Sequence, residues 1–173
     1  VLLAAIGCQG SSPRSSEAAT SLVEVRDAKG TVVDSVQKGK PCRTQFEGTQ
    51  LEVQDGKLAA GSAHWTTEKR PNGTAMMKDG EMVARMVELQ EEKRAARVEF
   101  YDPKGIAIVR VSRLDGYLSV GDAGSRRVRQ GNSGSDVITV GDLYVSGTDD
   151  LLLAGVVTAT EVPPEVRALA VCK

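Results

Sequence analysis

Residues 148–162 read TDDLLLAGVVTATEV, a run that is apolar on every side of any helix drawn through it. Thr148 or Asp149 supplies an N-cap, acids fall in the first turn where the helix dipole favours them, and Pro163-Pro164 stops the run. A helix without a polar face belongs inside something. For Leu151 to Val157 a pair of buried strands is the competing assignment, since a short apolar run is ambiguous by pattern alone. A second short helix is predicted over PPEVRALAVC (163–172), with proline in its first turn, where a missing N–H costs little.

The chain before these helices is a series of hairpins. VEVRDAKGTVVDSV at 23–36 returns as VEFYDPKGIAIVRV at 98–111, with Val23, Glu24, Asp27, Lys29, Gly30 and Val36 matching Val98, Glu99, Asp102, Lys104, Gly105 and Val111. Each copy predicts strand, four-residue turn, strand. Asp opens the turn, Pro103 presets its second position in the later copy, and Gly supplies the left-handed conformation that closes a type I turn into a bulged hairpin. Further turns are predicted at Gln54–Lys57, Asn72-Gly73, Lys78–Glu81, Asp115-Gly116 and Gly141-Asp142. Between them lie QLEVQ, TAMMK, EMVARMVE, DVITV and LYVSG. With the repeat units these make roughly a dozen short strands, the pattern of a barrel or sandwich of antiparallel hairpins. ELQEEKRAAR (88–97) is compatible with a helical turn or with a charged hairpin tip.

Serial hairpins with Asp-x-x-Gly turns, two related halves and an apolar C-terminal helix resemble the LURP-one-related and tubby-like group. The phrases VEVRDAKGTVVDSV, VEFYDPKGIAIVRV and DDLLLAGVVTAT carry the likeness. The resemblance implies a mainly β fold, an antiparallel barrel of about twelve short strands in two similar halves around a buried C-terminal helix. Known relatives bind phosphoinositides or act on lipids like scramblases, but no head-group motif of theirs can be placed on this chain, so the likeness implies a fold more than an activity. Physically the parts complement one another, because an all-apolar helix needs an apolar surround and a ring of hairpins needs a filling.

The chain opens VLLAAIGCQGSS. A short buried strand is one assignment of Val1 to Ile6; the end of an export signal is the other, and the polar run after Cys8 favours it. Ala5-Ile6-Gly7-Cys8 resembles the lipobox, in which the cysteine after the cleavage point receives diacylglycerol, although Ala5 stands where leucine is most usual. Gln9 resembles the outer-membrane class of such proteins. Residues 1–7 are then the end of a signal peptide, 8–21 a lipidated Cys8 with its tether, and 22–173 a single domain. QGSSPRSSEAATS (9–21) holds almost no large apolar group with which to offset the entropy of ordering. Removing Cys8 from the three cysteines leaves Cys42 and Cys172, an even pair in a compartment where disulfides persist. The predicted address is the bacterial cell envelope, with the membrane as partner through the N-terminal lipid.

Composition narrows the chemistry. The 173 residues carry 22 Lys and Arg against 23 Asp and Glu, a formal net charge of −1, which argues against nucleic acid held on a broad basic surface. One histidine and two distant cysteines do not make a zinc site, and no cofactor is predicted. No stretch after Cys8 reaches the ~18–20 apolar residues that span a bilayer.

GNSGS (131–135) has the look of a trypsin-like nucleophile loop, with His64 and Asp102 upstream in the same order. A small serine hydrolase using Ser133 and His64 is therefore one alternative function. Against it, the chain is short for that family's two barrels and Asp102 is already a turn residue; a polar loop is the simpler assignment. His64 and Trp65, the only His and Trp, read as packing before they read as a partner anchor. Arg126, Arg127 and Arg129 form a small basic cluster suited to phosphate or lipid head groups, so an anionic-lipid-binding module is the second alternative; a solvated strand is the plainer assignment. Met76, Met77, Met82 and Met86 read as core filling. The leading expectation is a lipid-anchored binding or structural module without catalytic activity.

Overall fold

The structure, a computed structural model, describes residues 21–92, 95–115, 117–121, 126–129 and 137–173, with backbone only for 91, 92 and 126–129. Among the described residues fourteen strands follow one another: β1 (Leu22–Arg26), β2 (Val32–Gln37), β3 (Cys42–Phe46), β4 (Thr49–Gln54), β5 (Lys57–Ala60), β6 (Ala63–Arg70), β7 (Gly73–Lys78), β8 (Glu81–Glu92), β9 (Ala95–Tyr101), β10 (Ala107–Leu114), β11 (Tyr117–Val120), β12 (Arg126–Arg129), β13 (Val137–Val140) and β14 (Leu143–Ser146). Two helices end the chain, α1 (Leu151–Val157) and α2 (Pro164–Val171). All strands join one sheet in the order β12 back to β1, then β14 and β13, and every pairing is antiparallel. The fold is mainly β, as the turn chemistry predicts. The hydrogen-bonded order does not close on itself: β12 and β13 end it, lying alongside one another without ladder pairing among the described residues.

The repeated phrases form equivalent hairpins, β1–β2 and β9–β10. In the first, Asp27 Oδ1 accepts from the Lys29 and Thr31 amides, both at 2.9 Å. In the second, Asp102 Oδ1 accepts from Lys104 and Ile106 at 2.9 and 2.8 Å. Gly30 and Gly105 close them at φ +81° and +84°, and each ladder is bulged beside its turn. One aspartate oxygen thus satisfies two turn amides, which is why that residue recurs at that position. In ELQEEKRAAR the described residues are paired antiparallel strand rather than helix, Leu89 opposite Arg97 and Gln90 opposite Ala96, while 93 and 94 lie outside the described residues.

Most other connections are two-residue turns. Asp55-Gly56 and Asp79-Gly80 take positive φ at both positions, matching strand twist. Two such turns, Glu47-Gly48 and Gly61-Ser62, carry no strong sequence signal and raise the strand count above a dozen. Asn72-Gly73 needs correction. The turn is Pro71-Asn72, and Gly73 opens β7 opposite Arg70 because a Cβ there would meet the Met86 carbonyl oxygen at 2.3 Å.

Inward residues of the strands and both helices make one core, including Val23, Phe46, Trp65, Met76, Phe100, Val111, Leu153 and Leu169. Met76 and Met86 belong to it; Met77 and Met82 are half-buried and pair across β7–β8. Helix α1 packs on β9, β10, β11 and β13, while α2 packs on β3 to β6, so the helices touch strands from widely separated parts of the sheet and also each other. Leu151 to Val157 is helical rather than a strand pair. All of it is buried but the half-exposed Leu152. Its cap is Asp150 rather than Thr148 or Asp149: Asp150 Oδ1 accepts from Leu152 and Leu153 at 2.9 and 3.2 Å, and Thr148 Oγ1 accepts from the Asp150 amide. The acid is therefore spent at the cap and none stands in the first turn.

Helix α1 packs closely on the sheet at Gly155, where a Cβ would lie 2.3 Å from Val111 Cγ1 and 3.1 Å from Leu118 Cδ1. Gly155→Ala improves helix propensity, yet is expected to destabilise by about 1–3 kcal/mol through overpacking. Urea unfolding reads it; a stabilised variant would mean that α1 lies loosely on the sheet.

Candidate functional site

Inside the fold the most charged place is a single residue of α2. Arg167 is fully buried in a helix whose other buried residues are Val, Ala and Leu. Its Nη1 donates to Asp34 Oδ2 at 3.3 Å and to the Val157 carbonyl at 3.1 Å, its Nη2 donates to Glu47 Oε1 at 2.5 Å, and its plane lies 4.5 Å from the Phe46 ring centroid. Asp34 completes the arrangement by accepting the Glu47 amide through Oδ1 at 2.8 Å. One guanidinium therefore ties the end of α1, strand β2 and the β3–β4 turn to α2. Cys172, the C-cap of α2, is bonded to Cys42 on β3 with Cα atoms 5.7 Å apart. The predicted disulfide and the unpredicted arginine fasten the same helix at two points.

On the outer face a second cluster centres on Glu99, which is only 4% exposed. It accepts from the Tyr101 hydroxyl and from Arg110 Nε on β10, with Arg97 Nε at 3.3 Å; Arg85 from β8 lies over the Tyr101 ring at 4.9 Å. Burial pushes the Glu99 pKa up, but the Tyr101 hydrogen bond and the Arg110 and Arg97 charges outweigh it and hold the carboxyl below its ordinary value. Tyr101 moves the other way: its hydrogen bond to Glu99, burial and the Glu99 charge raise it. The linkage signs are opposite. Glu99 contributes stability that is present above the ordinary carboxylate range and lost as pH falls through its lowered folded value; Tyr101 contributes stability present below about 10 and lost as pH rises through its raised one. Alkaline titration of tyrosinate absorbance is expected to show a transition above about 10 that disappears in Tyr101→Phe. Persistence of that transition in the variant would detach it from this cluster.

Of the alternative hydrolase residues, His64 and Asp102 are not brought together. His64 on β6 is exposed, and the carboxylate beside it is Asp79, 3.9 Å from Nδ1, whose Oδ1 also accepts the His64 amide at 2.8 Å. Asp102 lies at the β9–β10 turn, holding two amides, with β7 and β8 between its sheet position and β6. Ser133 lies outside the described residues, as do Cys8 and the tether to Thr20. Trp65 is core, with Lys78 Nζ 5.5 Å from its ring centroid. Among the described residues no group of His, Cys, Asp or Glu is placed to hold a metal.

Arg126, Arg127 and Arg129 form β12, which pairs with β11: Arg127 stands opposite Ser119 and Arg129 opposite Tyr117. Tyr117 in turn faces Leu114 across the β10–β11 turn, and both are strongly exposed at 67% and 59%. Comparison of the chain with protein-family models, curated proteins and solved structures finds no match. Function must therefore be argued from the surfaces themselves. Arg167 is the residue that sequence reasoning missed, its one signal being a lone cation in PPEVRALAVC. Among the described residues no helix is long and apolar enough to cross a membrane.

Proposed function

We propose that this chain is a lipid-anchored module of the bacterial cell envelope, held by Cys8 to what is expected to be the outer membrane, whose domain binds or braces a partner without a reaction of its own. In this reading the sheet curls into a barrel of two related halves, the arrangement of the LURP-one-related and tubby-like group. The observation that carries it is the filling of the interior by the chain's own helices, fastened through Arg167 and Cys172. Contact of α1 with β13 as well as β9 to β11, and of α2 with β3 to β6, is what a wrapped sheet requires. Recognition then falls to the outer surface. The disulfide suits an oxidising compartment.

Two measurements test this. Mass spectrometry of the peptide beginning at Cys8, from protein expressed with its complete signal in a bacterial host, is expected to give a diacylglyceryl cysteine; an unmodified thiol contradicts the anchor. An activity-based serine probe is expected to leave the protein unlabelled, whereas labelling abolished by Ser133→Ala would establish the hydrolase.

A second reading, attachment to anionic lipid, is favoured by one feature: Tyr117 on β11, the strand next to the β12 arginines, and Leu114 opposite it on β10 form an exposed apolar pair. Flotation with phosphatidylglycerol vesicles, using chain that lacks residues 1–8, is expected to be salt-sensitive and lost on neutralising Arg126, Arg127 and Arg129. Flotation that ignores salt and these changes would remove this reading.

A further inference from the structure

We propose that the outer face of β2 to β4 is a binding site for a neutral, extended glycan. A depression of about 440 Å³ opens there. Sheet register fixes its lining as two rows of three: Ser35, Gln45 and Gln50 stand opposite one another in the first, Gln37, Arg43 and Glu52 in the second. Val36, Thr44 and Leu51 alternate with them and are buried, so the six polar heads belong to the outer face. Leu22, half exposed, stands opposite Gln37 at one end.

Four of these six heads are uncharged. At other places on the outer surface charged side chains pair with each other, as Glu24 does with Arg26, Glu68 with Arg70 and Glu99 with Arg110. Here Ser35, Gln37, Gln45 and Gln50 make no side-chain hydrogen bond among the described residues, and each carboxamide offers two donors and an acceptor. Arg43 Nε and Glu52 Oε2 cancel in charge at 3.0 Å, yet both remain more than half exposed, so unused donors and lone pairs face the depression. A charged ligand finds no net field there. A chain of hydroxyls, each both donor and acceptor, finds a partner at every head.

Spacing separates a glycan from a peptide. Across the strands the heads recur at roughly 4.8 Å, the distance between neighbouring strands, which is close to the rise of one pyranose ring in an extended chain. An extended peptide presents like-facing groups about every 6.7 Å and falls out of step over three strands. Leu22 gives the ring's C–H face an apolar edge. This site lies apart from the β12 arginines and does not depend on the anchor.

The test is backbone NMR of the protein titrated with cellotetraose, chitotetraose, maltotetraose and mannotetraose, beside tetra-alanine. At least one saccharide is expected to shift β2–β4 amides saturably at roughly millimolar concentration, because hydrogen bonds exchanged with water yield modest affinity. The double variant Gln45→Ala, Gln50→Ala is expected to bind at least tenfold more weakly with an unchanged urea midpoint. No saturable shift with any saccharide, saturable shifts centred elsewhere, or shifts on this face with tetra-alanine instead would each overturn the proposal.

Discussion

Arg167→Ala is expected to destabilise the protein by about 3–5 kcal/mol, because it leaves Asp34 buried without its counter-charge and opens a cavity beneath Phe46. Glu47 is less affected, since its side chain is half in water and rehydrates. The pair itself is not expected to be worth that sum. Buried ion pairs often break even against apolar residues of similar volume, so Arg167→Met with Asp34→Val is expected to recover at least half of the loss. The repeat supplies the rationale for valine: Val109 occupies in β10 the place that Asp34 occupies in β2, and it is buried in the same core. Urea unfolding of both variants decides it. An Arg167→Ala protein within 1 kcal/mol of the parent, by the measured midpoint and slope, would show that water reaches this site.

Removing the Cys42–Cys172 bond with serine at both positions is expected to cost about 4–5 kcal/mol in the chain-entropy model, since the cysteines are 130 residues apart and the bond closes nearly the whole domain. The effect should appear as a shift of urea midpoint in the serine variant and, with the same size, on reducing the parent. Additivity is a sharper expectation. Both fasteners act on α2, so the combined Arg167→Ala, Cys172→Ser loss is expected to fall short of the sum of its parts, the first having already loosened the helix that the second holds.

Legibility tracks the range of the forces involved. Turns are local, and Asp-x-x-Gly or Asp-Gly names its own conformation, so Asp27, Asp102, Asp55-Gly56 and Asp79-Gly80 are readable from a few residues. Glu47-Gly48 is not. Glutamate is an unusual occupant of a left-handed position, and what holds it there is its amide bond to Asp34 and its carboxylate bond to Arg167, 120 residues away. The buried helix is readable because an absent polar face is a property of one segment. Its cap falls one or two residues beyond the expected positions, since Thr148, Asp149 and Asp150 are all good caps and only backbone geometry chooses among them.

Site residues are the least legible for the same reason. Arg167 looks like a stray cation until β2 and the β3–β4 turn are brought beside it from 133 and 120 positions away. The polar array on β2 to β4 needs the register of three strands before Gln37, Gln45 and Gln50 become neighbours. Composition alone shows only scattered glutamines. By contrast the cysteine pairing needs counting rather than geometry, and it is legible.

Native-state hydrogen exchange of the α1 amides tests most directly whether sheet encloses helix. A helix of seven residues has no stability of its own, so any protection of Ala154 to Val157 must come from what surrounds it. Exchange of these amides only through global unfolding, with the free energy given by urea, is the expected result. Their exchange by local opening, several kcal/mol below the global value, would mean that the helix lies against the sheet without being enclosed by it.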